Sequence, residues 1–302
     1  RCHTHTLGEE KKYAGRTIYR INRTKNACMK NLIQLELLKL WPNRSFRIYT
    51  LLYFCIIVGL FFLSVIEFNL GPLKFSFGAQ GAFKFPYTWH FNTYIASHFK
   101  ILLALIIITN IVNEYDFRTI KQNFIDGLSK KEFVTSKVLT FVILSLCSTI
   151  LVGMIALVLG LKFTGNITAG MIFREMYYLP IYFLELIATF SFLMFAAVLI
   201  RKSAFALGFW IFWSTAESIL RNVWKSKIPN TFNPFDFFPM QSISNLIHEP
   251  FSRMETVQKI SNMVQPGKVI DYSIQWPYVL MCLCWSGLFV YLSYYLIKKR
   301  DL

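Results

Sequence analysis

The sequence has little charge for its length. Only 16% of its 302 residues are charged, whereas 55% are hydrophobic and 17% are aromatic. Soluble globular proteins carry about a quarter charged residues, and disordered chains are far less apolar than this one. A nucleic-acid binder is disfavoured despite the net charge of +16, because long apolar blocks separate the basic residues. The class that remains is a polytopic membrane protein, in which Lys and Arg accumulate on one side of the bilayer.

Motifs that carry chemistry are also scarce. The six cysteines form no CxxC pair, which disfavours a zinc or redox site. The sequence contains no GxxxxGK[ST] loop, and therefore no recognisable nucleotide site. Neither HExxH nor G-x-S-x-G occurs, which disfavours an intramembrane enzyme. We therefore expect no catalytic residue, no metal site and no cofactor in this chain.

The first 47 residues divide into two parts. Residues 1–28 are polar and basic without an apolar period, and we expect a disordered tail or a non-native extension. Residues 29–47 are predicted to form an amphipathic helix in the membrane interface, ended by Pro42. The apolar face of this helix consists of Leu32, Ile33, Leu37, Leu40 and Trp41, while Lys30, Gln34, Glu36 and Lys39 lie between them.

Residues 48–302 are predicted to form an all-α domain with six transmembrane helices. A span needs about 20 apolar residues, and six segments qualify: Ile48–Ile66, Thr93–Asn113, Phe133–Leu161, Tyr177–Ile200, Ala204–Leu220 and Trp276–Ile297. The segment before the last span, about 221–275, is too broken by prolines to cross the membrane. It is predicted to form short half-inserted helices at the outer leaflet, and an aromatic anchoring belt is the alternative.

Loop charges give the orientation. Six spans place both termini on one side, and most of the 32 Lys and Arg residues lie in segments assigned to that side. The positive-inside rule then predicts that both termini are cytoplasmic.

The loop after the second span has a distinctive pattern. Its apolar residues recur at helical spacing, at Phe117, Ile120, Phe124, Ile125 and Leu128. Gly127 is a helix-ending residue, and Ser129 with Glu132 forms the sequence of a capping box for the next helix. The pattern predicts an amphipathic helix over about 114–128 that lies along the inner face and leads into the third span. An ordinary solvated loop helix is the alternative.

This loop resembles that of the type-2 ABC exporter permeases of bacteria. The residues that carry the resemblance are Glu114, Arg118-Thr119, Gly127-Leu128-Ser129-Lys130-Lys131, Phe133 and Lys137. The family pattern is roughly E-x-x-x-G-T followed by G-x-S-R and a Lys at the third span, and Arg118 stands where the family often has Gly.

The resemblance implies a permease subunit of an ATP-driven exporter in the cytoplasmic membrane. Its partners would be a separate ATPase, which binds ATP and magnesium, and a second permease copy in a homo- or heterodimer. The helix over 114–128 would be the coupling helix that docks on the ATPase. Its candidate coupling residues are Glu114, Phe117, Arg118, Thr119, Gln122, Gly127, Ser129, Lys130 and Lys131.

Three ionisable residues fall within predicted spans, where charge is costly and usually faces the bundle interior. They are Lys100, Glu185 and Glu217. We hypothesise that Lys100 pairs with Glu185 or Glu217, either to lock the bundle or to line the substrate pathway. The alternative is that each side chain reaches separately to the outer interface. An ion-coupled carrier that uses the three residues as a relay is the rival function, although no inverted repeat is evident.

Overall fold

The computed structural model describes most of the predicted membrane domain. The described residues are 36–65, 68–70, 73–75, 81–228, 232–254, 257 and 272–300. The predicted tail over 1–28 and the first part of the predicted interfacial helix, including Leu32 and Ile33, lie outside them.

Helices dominate the described residues. Residues 36–40 are helical, and the longer elements are α1 Arg44–Val65, α2 Thr88–His98, α3 Lys100–Asp116, α4 Thr119–Ile125, α5 Lys130–Phe163, α6 Ala169–Phe173, α7 Tyr178–Ile200, α8 Ser203–Lys227, α9 Pro239–Ser244 and α10 Trp276–Lys299. Two short 3₁₀ helices, Pro234–Phe237 and Phe251–Arg253, flank α9.

A small hairpin departs from the expected all-α fold. Strands β1 (Phe68–Leu70) and β2 (Leu73–Phe75) pair antiparallel, with Phe68 opposite Phe75. A Gly-Pro dipeptide, which is a turn signal, separates the two strands in the sequence.

Within the described residues, four helices are long and apolar enough to cross a membrane. They are α5, the helix that ends at Ile200, α8 and α10, and the bent pair α2–α3 makes a fifth crossing if it is one span. The 22-residue helix α1 occupies the position of the predicted first span. The six-span layout itself therefore stays a prediction.

The second span differs from the continuous helix that the sequence predicted over Thr93–Asn113. Helices α2 and α3 meet at Phe99 with a bend of 46°. The side chains of Ser97 and His98 both donate to the Tyr94 carbonyl, each at 2.9 Å. They compete with the backbone for this acceptor, and such competition bends helices.

Helix α7 is the centre of the bundle and packs against α2, α3, α5, α8 and α10. Small residues such as Ala188, Ala196 and Ala197 are fully or almost fully buried along it, and small side chains let neighbouring membrane helices approach closely. Helix α8 is the opposite case, because Ala206 and Glu217 are its buried residues. Most of the apolar surface of α8 therefore faces away from the described bundle.

The two ends of the bundle are distinct. At the Lys130 end, the Lys130 ammonium donates to the Lys298 and Arg300 carbonyls, and Arg300 donates to the Val198 carbonyl. At the Tyr178 end, the Tyr178 hydroxyl donates to the Tyr272 carbonyl. These contacts place the start of α5 beside the ends of α7 and α10, and the start of α7 beside the residues that precede α10.

One close helix contact leads to a stability prediction. A Cβ added at Gly160 in α5 would lie 2.4 Å from the ring of Phe85, which is buried in one cluster with Trp89, Ala156 and Tyr178. We expect Gly160→Ala to lower the free energy of unfolding by about 1–3 kcal/mol, the usual cost of overpacking. The midpoint of thermal unfolding in detergent measures the effect.

The matched control is Gly208→Ala in α8, where no atom lies within 4 Å of the added Cβ. Alanine favours a helix over glycine, so this variant should melt at or slightly above the wild-type temperature. Equal melting temperatures for the two variants would contradict the packing account.

Candidate functional site

Four ionisable side chains meet inside the Lys130 end of the bundle. The Lys137 ammonium lies 2.9 Å from Glu36 Oε2 and 2.5 Å from Glu114 Oε1. Lys39 approaches Glu114 Oε1 at 3.4 Å from the more exposed side. Two carboxylates thus face two ammonium groups, and this charge cluster is electrically neutral as a whole.

Neutral polar groups complete the hydrogen bonding of the charge cluster. Ser136 Oγ donates to Glu36 Oε1 at 3.1 Å, and Asn123 Nδ2 donates to Glu114 Oε2 at 3.2 Å. Lys137 also donates to Asn110 Oδ1 at 3.3 Å. Each carboxylate oxygen of Glu36 and Glu114 therefore has a donor, which is the condition under which buried charges are tolerated.

The charge cluster joins four elements that are separate in the sequence. Glu36 comes from the helical residues before α1, Glu114 from the last turn of α3, Asn123 from α4 and Lys137 from the second turn of α5. Their burial is nearly complete, since Glu36, Glu114 and Lys137 are 4%, 5% and 2% exposed. Any movement of α4 must therefore move Glu114 with it or break the Asn123–Glu114 hydrogen bond.

Glu36 lies outside the spans, and its pKa shows the balance of forces in the charge cluster. Burial by itself raises the pKa of this carboxyl, but attraction to Lys137, with help from Lys39 and Ser136, outweighs burial. The net effect is a pKa below the ordinary value, so Glu36 is ionised at neutral pH.

Helix α4 is shorter than the predicted helix over 114–128. Helix α3 continues to Asp116, the backbone turns at Arg118 with φ +55°, and α4 then runs from Thr119 to Ile125. This left-handed turn separates Glu114 from α4. Glycine adopts positive φ most easily. The positive φ of Arg118 is therefore consistent with the Gly that the resembled family often has at this position.

The predicted apolar stripe of this loop is divided between two faces. Ile120 is buried at 2% exposure, and Phe124 packs edge-on against Phe133 with ring centroids 5.9 Å apart. Phe117 and Ile125 instead point outward, with 75% and 78% of their surface exposed. One face thus anchors α4 to the bundle, and the other presents two large apolar side chains at the surface.

The other predicted coupling residues frame this outward face. Arg118, Thr119, Gln122, Gly127, Ser129 and Lys131 are exposed, and Lys130 is half-buried. Gly127 closes the turn after α4 with φ +96°. The predicted capping box is confirmed, because Ser129 accepts from the Glu132 backbone while Glu132 accepts from the Ser129 backbone.

Sequence reasoning missed most of the charge cluster. It assigned Glu36 and Lys39 to the polar face of an interfacial helix, and Glu36 is in fact buried. It gave no role to Asn110, Asn123 or Ser136, and it noted Lys137 only as part of the resemblance. The available signal was a lysine inside the apolar run that opens the third span, because a charge there needs a partner.

The intramembrane charges separate into two unrelated contacts. Lys100 Nζ lies 2.5 Å from Glu185 Oε1. Of the two partners hypothesised for Lys100, the structure therefore contains the pair with Glu185. The alternative pairing of Lys100 with Glu217 is wrong, because Glu217 accepts from Trp213 Nε1 at 2.5 Å and from the Gln241 backbone N–H at 3.0 Å.

Glu217 has a local structural role. Its carboxylate meets a backbone N–H in the first turn of α9, where the helix dipole favours a negative charge. Arg221 on the next turn of α8 pairs with Asp236 at 2.5 Å. Together these contacts hold the segment around α9 against α8.

Within the described residues, no group of three or more His, Cys, Asp or Glu side chains is arranged to hold a metal ion.

A comparison with known protein families shows which family the chain belongs to. The model of the family described as ABC-2 family transporter protein matches residues 30–302. The chain belongs to this ABC-2 transporter family. A comparison with curated proteins gave no match.

Membership of the ABC-2 transporter family supports a permease role for this chain. The family is a membrane transport component and is not itself catalytic. Together with the apolar helices of the bundle, it makes the chain a multi-pass membrane protein.

The charge cluster predicts a large penalty for removing its central cation. Lys137→Met leaves Glu36 and Glu114 buried without a full counter-charge, and we expect a loss of about 3–5 kcal/mol in the free energy of unfolding. Thermal unfolding in detergent measures this loss. The exposed Lys131→Met is the matched control and should change stability by less than about 0.5 kcal/mol.

The same reasoning predicts that removing all three buried charges restores stability. The triple variant Glu36→Gln, Glu114→Gln and Lys137→Met carries no buried charge imbalance, and it should recover much of the lost stability. If Lys137→Met and Lys131→Met melt together, the ion pairs around Lys137 contribute nothing.

The lowered pKa of Glu36 predicts a pH dependence. The ionised carboxyl contributes stability that is complete above the ordinary pKa of 4.5 and is lost as the pH falls through the lower pKa of the folded protein. Melting temperatures between neutral and acid pH should therefore fall more steeply for the wild type than for Glu36→Gln. Parallel curves would mean that Glu36 does not titrate in the charge cluster.

Proposed function

We propose that this chain is the membrane-spanning subunit of an ATP-driven exporter whose ATPase is a separate polypeptide. The observation that carries the proposal is the division of α4 into an anchored face and an exposed apolar face. Large exposed apolar side chains beside polar ones are typical of a protein-docking surface. The outward face of α4 with Ile125, together with Phe117 just before the helix, is then the ATPase docking surface.

Family membership and the charge cluster support a coupling role for α4. A push on the docking surface reaches α3 through Glu114 and α5 through Lys137, because both residues contact each other inside the charge cluster. The same ammonium holds Glu36, so the segment before α1 moves with them. Rigid contacts of this kind transmit displacement without side-chain rearrangement.

The proposed orientation places the Lys130 end in the cytoplasm of a bacterial cell, in the inner membrane. The positive-inside rule supports this, since α4, Arg201, Lys202 and the basic C-terminus all lie at that end. Helix α1 would be the remaining span. A second permease copy, identical or different, would cover part of the exposed apolar face of α8, where Phe205 and Phe212 are 72% and 69% exposed.

The rival function is an ion-coupled carrier, and the buried Lys100–Glu185 pair is the observation that favours it. Glu217 no longer fits the proposed relay, because it serves α9. Transport into vesicles driven by a proton gradient in the absence of ATP would replace the exporter proposal with this one.

The docking surface predicts a specific loss of partner binding. We expect the double variant Phe117→Ser and Ile125→Ser to reduce co-purification of the ATPase by about tenfold or more, since two anchoring side chains are lost from one surface. Pull-down of the tagged permease from native membranes, with the ATPase identified by mass spectrometry, measures the effect.

The matched control is Phe173→Ser at the Tyr178 end, where the side chain is 66% exposed. This variant should co-purify the ATPase as the wild type does. Equal loss in both variants would point to general destabilisation, and equal retention would exclude α4 as the docking element.

A further inference from the structure

The Lys100–Glu185 pair lies at the bend of the second span. Lys100 is the first residue of α3, directly after the junction at Phe99. Glu185 lies on the central helix α7, about 10 Å along the helix axis from its Tyr178 end. Charge at this depth is costly and marks pathways in membrane proteins.

The hydrogen bonding of this pair is incomplete. Glu185 is 3% exposed, and its Oε1 accepts from Lys100. Its Oε2 is buried and has no hydrogen-bond partner within the described part of the chain. In the charge cluster at the other end of the bundle, by contrast, both oxygens of Glu36 and Glu114 are bonded.

Lys100 is also the more accessible member of the pair. Its side chain is 17% exposed, whereas that of Lys137 in the charge cluster is 1% exposed. An ammonium has three N–H donors, and one of them meets Glu185. Among the residues that the structure describes, the pair thus offers donors without an acceptor beside a buried acceptor without a donor.

An unsatisfied buried acceptor is unfavourable, and a buried ion pair is rarely needed for stability. We propose that the pair is a subsite for a neutral hydroxyl group of the transported compound. The hydroxyl donates to Glu185 Oε2 and accepts from Lys100. This inference rests on the proposed transport function and adds the chemical class that the pathway takes.

Charge balance favours a hydroxyl over an ion. The pair is neutral, so a bound cation or anion would leave a net charge at membrane depth, whereas a hydroxyl would not. A hydroxyl also supplies a donor and an acceptor from one atom, which matches the two unused functions of the pair.

Three neighbouring hydroxyls form a cluster of their own. Tyr182 lies one turn before Glu185 on α7, and its hydroxyl is within 3.2 Å of Tyr53 and 3.0 Å of Ser148. Tyr53 and Ser148 are also within hydrogen-bond distance of each other. These hydroxyls satisfy one another and leave Glu185 Oε2 for the ligand.

The bend at Phe99 lies directly beside Lys100 in the chain. Helices α2 and α3 meet there at 46°, and a change in this angle moves Lys100 relative to Glu185. Broken membrane helices are a common setting for transport sites.

Photolabelling of the full chain in lipid vesicles tests the proposal. The probe is a photoreactive alkyl glucoside, compared with an alkyl sulfate and an alkyltrimethylammonium of the same chain length. We expect the glucoside to label peptides around Lys100 and Glu185. In K100M/E185L this labelling should fall about tenfold, the effect of losing a hydrogen bond to a charged group.

The control removes a different ion pair. R221M/D236L breaks the Arg221–Asp236 contact on α8 and should leave the glucoside labelling around Lys100 unchanged. The melting temperature of K100M/E185L should stay at or above that of the wild type, because apolar residues replace a buried pair.

Two results would overturn the proposal: equal glucoside labelling of the wild type and K100M/E185L, or preferential labelling by a charged probe. If K100M/E185L does not fold, E185Q is judged by the same criterion, since its amide presents a donor where Oε2 accepted. Labelling requires no ATPase, so its failure is distinguishable from a failure of the docking test.

Discussion

The buried ammonium of Lys137 is the contact on which the Lys130 end of this protein depends. It is shared between Glu36 and Glu114, which come from different elements, and removing it would leave two carboxylates inside the protein. Surface ion pairs contribute little because water screens them, but this one is 2% exposed and has no such screening. The arrangement therefore fixes α3, α5 and the segment before α1 relative to one another, and α4 joins it through the Asn123–Glu114 hydrogen bond and the packing of Ile120 and Phe124.

The two buried charge sites of the bundle differ in completeness. At the Lys130 end, each carboxylate oxygen has a donor, and the site is suited to holding elements together. At the bend of the second span, Glu185 keeps a buried oxygen without a partner in the described part of the chain, and Lys100 keeps some exposure. We interpret the charge cluster as a rigid connection between helices. We interpret the Lys100–Glu185 pair as a site where a ligand completes the hydrogen bonding. Glu217 belongs to neither, because it accepts from the backbone N–H of Gln241 in the first turn of α9.

Local features of the fold could be predicted from the sequence, because they depend on neighbouring residues. The capping box at Ser129 and the start of α10 at Trp276 are such features. The break of the second span at Phe99 was missed, although Ser97 and His98 supply the competing hydrogen bonds. The turn at Arg118 was also missed, because an arginine gives no sign of a positive φ.

The candidate site could be predicted only in part, because its contacts are remote in sequence. Glu36 and Lys137 are 101 residues apart, and no spacing rule brings them together. Phe117, Ile120 and Ile125 all matched the apolar spacing of the predicted helix over 114–128. Only the structure shows that Ile120 is buried whereas Phe117 and Ile125 are exposed. For the intramembrane charges, sequence position left Lys100 with two possible partners, and the packing of α3 on α7 selects Glu185.

The charge cluster holds α4 rigidly to the bundle through the Asn123–Glu114 hydrogen bond. Spin labels at Gln122→Cys on α4 and Lys202→Cys at the same end, both exposed positions, test it in a chain whose native cysteines are replaced. We expect one narrow distribution of the distance between the two labels in the parent chain and a broad one after Lys137→Met. A distribution that stays equally narrow after Lys137→Met would contradict the claim.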